Sequence, residues 1–359
     1  MQVSTEFLTT CEARLDVLAS DVNPAVKYTM SFLSDYSRWG DGRLVGIATG
    51  SHSAFLEATE SSLDATKRLL STTGDTLHSI ALRYDATDAD QFVRFRDLIK
   101  DLDPTVATPA ITASTSPRSG AVDLPSDGLA HPEGMPGINP VFLAILQWPD
   151  YLSFSWWIRY LINEGLQLVM PGFAGGDIFE WLWSQIGGDW DKVYAAGDAF
   201  GHIGKYFDRL AATTEAEAVA MFQGWTEGEA AAAAGEFFAE LVAAFAAQAE
   251  PYADLADKYE KAAGASYMLC QAAYSGLDAL GDHLIALQLG VGSIGEAFAA
   301  FFTGGTTTPL AIASAVAAFI AELSAVWGSA VAALMATGGV LNLLQASSMT
   351  ITTIPLPEP

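Results

Sequence analysis

A ladder of leucines constrains this chain more than any other feature. Leu56, Leu63, Leu70 and Leu77 fall seven residues apart, and Tyr84 continues the series. An apolar residue at every seventh position holds one side of a helix, and such a seam faces a partner helix. At 1.5 Å per residue, the stretch from Leu56 to Tyr84 spans roughly 44 Å. A partner precedes it. Phe7, Leu8, Cys11, Leu15, Leu18 and Val22 recur at three- and four-residue steps, which draws an apolar stripe along one helical face. Pro24 is expected to kink or restart that first helix, because proline removes a backbone donor. Arg38-Trp39-Gly40-Asp41-Gly42 supplies a glycine-rich turn between the two. Residues 1–103 therefore read as a long antiparallel helical hairpin.

The composition changes at residue 104. Seven of the chain's 15 prolines lie between Pro104 and Pro140, mixed with Ser, Thr and Gly, so 104–140 reads as an extended or irregular linker. Aromatic residues then become dense (Trp148, Tyr151, Phe154, Trp156, Trp157, Tyr160) and mark the start of a second packed region, 141–350. Helical patterns follow at about 189–211, 229–249 and 252–288, the last two separated by Pro251. No run of alternating strand residues appears, which gives an all-α class. Each hairpin carries a single apolar stripe, so the two are expected to pack on each other as an intramolecular four-helix bundle. Additional hydrophobic helices follow, and 351–359 form a tail.

Charge narrows the partners. With 17 Lys+Arg against 42 Asp+Glu, the net charge is −25, which repels a nucleic-acid backbone. No Lys or Arg follows Lys261, and no charge of either sign lies between Leu323 and Pro357. The run Leu323–Gln345 has the length of a bilayer span, but Gly338-Gly339 and Asn342 interrupt it and no basic flank orients it. A buried hydrophobic helical hairpin is the expectation, with a membrane span as the rival. The N-terminus, MQVSTEFLTTCEARLDVLASDV, lacks a basic n-region, so a Sec-type signal peptide is not expected.

Cys11 and Cys270 lie far apart without CxxC spacing, which indicates free buried thiols. Gly290-Val291-Gly292-Ser293-Ile294-Gly295 matches GxGxxG in letters but follows a helical run instead of a strand. His52, His78, His131, His202 and His283 share no ligand spacing, and no nucleophile elbow is present. Glu227 and Glu229 read as a solvated helix start. No enzyme, metal or cofactor is implied.

Two features resemble substrates of the type VII (ESX) secretion system of actinobacteria. Leu44–Gln91 is similar to the second helix of the EspC-like family, and it ends with Tyr84 and Asp88 at the spacing of the YxxxD/E export motif. Gly188 to Leu287 resembles the WXG-like domain of the CpnT N-terminal type. Its carriers are GDWDKVYAAGDAFGHIGKYFDRLA, the turn Gly224-Trp225-Thr226-Glu227-Gly228, and an alanine-rich helix with Phe237, Phe238, Leu241 and Phe245. The turn here is W-x-x-G, with Trp225 and Gly228 one residue further apart than in W-x-G. Trp225 either seals the end of the bundle or is read by a receptor. Tyr84 with Asp88 is either an export mark or a half-buried ring closing the seam beside a solvated acid. Trp39-Gly40-Asp41-Gly42 repeats the W-x-[DE]-G form.

The resemblance implies a fused pseudo-heterodimer of the EspB or PE–PPE-like kind. It implies a secreted helical protein, or the export module of a larger toxin, that waits in the cytoplasm without a Sec signal. Recognition would be by the ESX translocase ATPase, with a secretion chaperone or small WXG-type protein as further partners. The alternative is a membrane-active or pore-forming protein that uses the charge-free C-terminal region. Membrane contact and homo-oligomerisation stay open.

Overall fold

The computed structural model describes residues 5–82, 121–137 and 187–291, and positions 184, 321, 327, 328, 331, 332, 335 and 342–345. Side chains of the last long helix are described as far as residue 272. The described residues form four long helices, α1 (Thr5–Leu33), α2 (Arg43–Leu82), α3 (Trp190–Gly224) and α4 (Glu229–Val291). Two short 3-10 turns, Tyr36–Arg38 and Pro125–Gly128, complete them, and no strand occurs among the described residues. The protein is all-α. The aromatic run at 148–160, most of 323–345 and the pair Tyr84 and Asp88 lie outside the described residues.

Pro24, expected to kink or restart the first helix, and Pro251, expected to separate two helices, both sit inside helices. α1 runs unbroken through Pro24. The carbonyl that loses its helical donor there belongs to Ser20, four residues back, and the Asn23 side-chain amide donates to it at 2.9 Å. One neighbouring side chain thus repairs the ladder that proline opens. The predicted break at Pro251 is also absent, for α4 is continuous from Glu229 to Val291. Tyr252 and Leu255, just after the proline, are fully buried, so packing holds the helix on course.

The leucine ladder is the core of the first hairpin. Leu63, Leu70 and Leu77 are fully buried against α1, whose Leu8, Leu15, Leu18 and Val22 are equally buried. Each such side chain contributes roughly 1.5–3 kcal/mol of hydrophobic burial. Leu56 is half-buried, and Phe7 lies at the margin, 36% exposed. Contacts fix the directions. His78 reaches Glu12 at 3.0 Å, and Gly74 abuts Asp16, so α1 and α2 are antiparallel. Arg14 pairs with Glu217 and Tyr28 with His202, which makes α1 antiparallel to α3 as well.

α3 and α4 pack most closely where α3 has no side chain. A Cβ on Gly197 would come within 2.7 Å of Tyr259, and one on Gly204 would lie 3.1 Å from Tyr252. That close approach lets both tyrosines of α4 reach across towards α2. The buried apolar residues of all four helices form one continuous core. The two hairpins are therefore packed on each other within one chain, as the amphipathic stripes require.

The described part of the proline-rich segment, 121–137, lies along α1 and α3. Ser126 donates its backbone N–H to Asp21 Oδ2 at 2.9 Å, and its hydroxyl bonds the other oxygen of that buried carboxylate. Glu133 N donates to Asp198 and Met135 N to Asp191, each at 2.7 Å. Three aspartates thereby satisfy main-chain donors of a strap whose own regular structure is the single 3-10 turn Pro125–Gly128. An extended segment must find such acceptors wherever it is covered.

Candidate functional site

The two Trp-Gly turns lie at opposite ends of the bundle. At one end, α3 stops at Gly224 and α4 starts at Glu229, with Trp225–Gly228 between them. Trp225 is only 2% exposed, and its ring stacks on Phe222 with centroids 6.1 Å apart. Phe222 in turn meets the edge of Phe238. Gly228 has φ +106°, a conformation that suits glycine, and its carbonyl accepts the N–H of Ala232 to open α4. Thr226, Glu227, Gly228 and Glu229 are exposed. The indole is therefore a plug, and the polar residues after it form the outer surface of this end.

α1 begins and α2 ends here too. Phe7 covers Gly224, where a Cβ would come within 2.4 Å of its ring. Leu82, 74% exposed, is the last described residue of α2 and lies on the same side as His78 and Glu12. A cavity of about 210 Å³ opens between α1 and α3 beside this end, lined by Phe7, Cys11, Arg14, Glu217, Met221 and Gln223. Arg14 Nη1 donates to both oxygens of the buried Glu217 carboxylate, at 2.8 and 2.9 Å. Removing one member of such a pair leaves a buried charge alone, at a cost of about 3–5 kcal/mol. Burial, and then the Glu217 charge, push the Cys11 thiol up to about 12, with Arg14 offsetting part of this. It is a protonated packing group at neutral pH and not a nucleophile.

At the other end, Trp39 is 3% exposed and its turn is docked on the chain entering α3. Asp189 N donates to Trp39 O at 2.6 Å, and Gly42 N to Gly187 O at 3.1 Å. A Cβ on Gly42 would stand 2.1 Å from that Gly187 oxygen, so only glycine permits this approach. Asp189 then caps α3 by accepting from Lys192 N. Burial raises the Cys270 thiol to about 12, while a hydrogen bond from Trp190 opposes the rise. That contact sets Cys270 beside the first residue of α3, and α4 continues past it.

On the inner side of the Trp39 end, two histidines join the hairpins. His52 Nε2 lies 2.7 Å from the Leu33 carbonyl, so that nitrogen carries the proton and donates. Its Nδ1 accepts from the Tyr259 hydroxyl at 2.9 Å. Burial lowers the His52 pKa to about 4, against a smaller upward pull from the Leu33 hydrogen bond. His202 Nδ1 meets the Tyr28 hydroxyl at 2.8 Å. Sequence spacing treated these residues as isolated histidines without ligand geometry. What it could have registered is a titratable ring among the apolar positions of α2, beside Phe55 and one turn before Leu56.

Of the residues singled out in the sequence, Trp225 and Gly228 occupy one turn, while Tyr84 and Asp88 lie outside the described residues. No group of three or more His, Cys, Asp or Glu stands at metal-binding distance among the described residues. Comparison with protein-family models, with curated proteins and with solved structures returned no match.

Proposed function

We propose that this chain is a substrate or export module of a type VII secretion system, carried out of the cytoplasm as a folded helical bundle and not acting as an enzyme. One observation supports the reading most. The C-terminal end of α2, from which the sequence runs on through Tyr84 to Asp88, and the Trp225–Gly228 turn come out at the same end of one intramolecular bundle. A tyrosine and an aspartate four residues apart would share one helical face. Together with the exposed Thr226, Glu227 and Gly228 they would make a composite mark that exists only when both hairpins are folded. The receptor in this reading is the ESX translocase ATPase, and a secretion chaperone or small WXG-type protein is a further partner. The finished protein is secreted or held at the cell surface, and Trp225 acts through the shape of the turn it seals.

The test is export from a host that carries the secretion system. Tyr84→Ala and Asp88→Ala should abolish secretion while circular dichroism and the melting curve stay unchanged. Normal export of the folded double variant removes the export role from these residues. Lost export together with lost helicity assigns them to the seam instead. A second reading, a membrane-active protein, draws on α4, where Glu229–Ala272 contains an 18-residue window of mean hydropathy 1.5. Of that window 67% is buried inside the bundle, as in a core helix, so insertion would first require opening. Flotation with liposomes at neutral pH separates the readings: quantitative recovery with the vesicles favours the membrane-active protein.

A further inference from the structure

We propose that His52 is the centre of an acid-sensitive clasp: when its ring takes up a second proton, the α1–α2 hairpin parts from the α3–α4 hairpin while each keeps its helices. The inference does not depend on the secretion reading. His52 is fully buried and both of its nitrogens are engaged, one by α1 and one by α4. Every element packed on it is apolar or aromatic. The α1–α2 turn brings Tyr36 and Trp39, with centroids 5.1 and 4.6 Å from the ring. α3 brings Phe200 at 5.6 Å, and α4 brings Tyr259 at 5.8 Å. No carboxylate among the described residues acts on this ring.

Protonation at Nδ1 removes the lone pair that accepts from Tyr259 and puts a charge where water is excluded. Aromatic faces return only part of the lost solvation. Opening the interface restores that solvation, so acid drives the equilibrium towards the open form. The ring protonates with a pKa of about 4 when closed and near the ordinary 6.5 when open, so the opening equilibrium shifts by about 30-fold between neutral pH and about pH 5. His202 is a second bridge, to Tyr28, but its surroundings differ. Burial and Lys205 oppose its charge, whereas Asp198 on its own helix and Glu133 on the strap favour it. Its pKa is lowered on balance, so its protonation favours opening in the same sense, with a smaller push because it is less deeply buried than His52 and has two acids beside it.

The seam between the hairpins is more polar than the one within the first hairpin, and the Arg14–Glu217 pair and the strap bonded to Asp21, Asp191 and Asp198 are the contacts that opening must release. Within the first hairpin leucine meets leucine. Across it, α2 presents Thr59 and Ser62 to Tyr252, and the same buried stripe continues through Thr66, Thr73 and Thr76. The Thr66 hydroxyl is buried without a hydrogen-bond partner. Hydroxyls of this kind lose less on meeting water than leucines do.

Two native thiols report the motion. Cys11 lies on α1 against Glu217 of α3, between the hairpins, whereas Cys270 is held by Trp190 inside the second hairpin. The full chain is treated with a dithiodipyridine reagent at about pH 7.5 and about pH 5, with rates normalised to a free thiol at the same pH. Expected is a rise of about 30-fold in Cys11 modification at the lower pH, with Cys270 protected and helicity retained. His52→Gln, whose amide can donate to Leu33 and accept from Tyr259 without titrating, should remove most of the acid-induced rise in Cys11 modification. His52→Phe serves if the glutamine variant does not fold. In the unmutated chain, the His52 imidazole resonance must titrate with the same midpoint as Cys11 exposure. Three outcomes overturn the clasp: protected Cys11 at about pH 5, separate midpoints, or both thiols exposed together as helicity collapses.

Discussion

The ends of the bundle carry the same four-residue form, Trp39-Gly40-Asp41-Gly42 and Trp225-Thr226-Glu227-Gly228, and use it differently. Both tryptophans are buried, and each turn contains a glycine at positive φ, Gly40 and Gly228. At the Trp39 end the turn is closed a second time, by main-chain bonds to Gly187 and Asp189 and by Tyr36, His52 and Tyr259 around the indole. At the Trp225 end nothing described lies over Thr226 to Glu229, which stay exposed. The same local code thus makes one sealed end and one presented end. What differs is the chain that arrives beside each turn.

Truncating the two tryptophans separately gives the largest effect. Trp39→Ala and Trp225→Ala should each cost about 3–5 kcal/mol in urea unfolding, with Trp39 at the upper end because its indole meets three other rings. A Trp225 variant of unchanged stability would break the comparison and leave that ring without a sealing role.

Acid should next distinguish the ends, because His52 lies at the Trp39 end. Its folded pKa is depressed to about 4 from an ordinary 6.5, so the unfolded chain binds the proton first as pH falls. Nothing is lost above about pH 6.5, and stability declines from there until about pH 4, by roughly 3 kcal/mol in all. Denaturant titrations across that window should show a slope in the parent protein that His52→Gln reduces.

Alanine at the turn glycines sharpens the contrast at smaller scale. Gly42→Ala sets a Cβ against the Gly187 oxygen and should cost about 1–3 kcal/mol. Hydrogen exchange would show the Asp189 amide losing protection at once. Gly228→Ala should cost a similar 1–3 kcal/mol through its positive φ alone, with no loss of protection at Asp189. Smallest of all is Glu227→Gln, an exposed change expected to move stability by under about 0.5 kcal/mol. Reduced export of this stable variant would tie the presented end to recognition, and a stability loss beyond that bound would show the turn is covered after all.

The helices were legible because their information is local and periodic. Leu63, Leu70 and Leu77, with Leu8, Leu15, Leu18 and Val22, announce two faces that must meet, and they do. The restart expected at Pro24 and the break expected at Pro251 are absent for a physical reason. The penalty of an internal proline is fixed by sequence, but its relief comes from Asn23 in one case and from packing in the other. Trp225 and Gly228 were legible as a turn, while the burial of the indole required Phe222 and Phe238 in place. The strap was legible only as proline-rich. That Asp21, Asp191 and Asp198 would receive its amides could not be read, since their spacing in the chain carries no trace of a shared groove.

By itself the sequence determined the all-α class, the pairing of helices into hairpins and the buried state of both cysteines, since apolar periodicity acts within one helix and its neighbour. Tertiary structure decided the rest. Which end is sealed, which carboxylates hold the strap, and how His52 comes to lie between Leu33 and Tyr259 all depend on residues up to 207 positions apart. Such contacts exist only once helices of fixed length and direction have docked, and no local pattern encodes the level at which they meet.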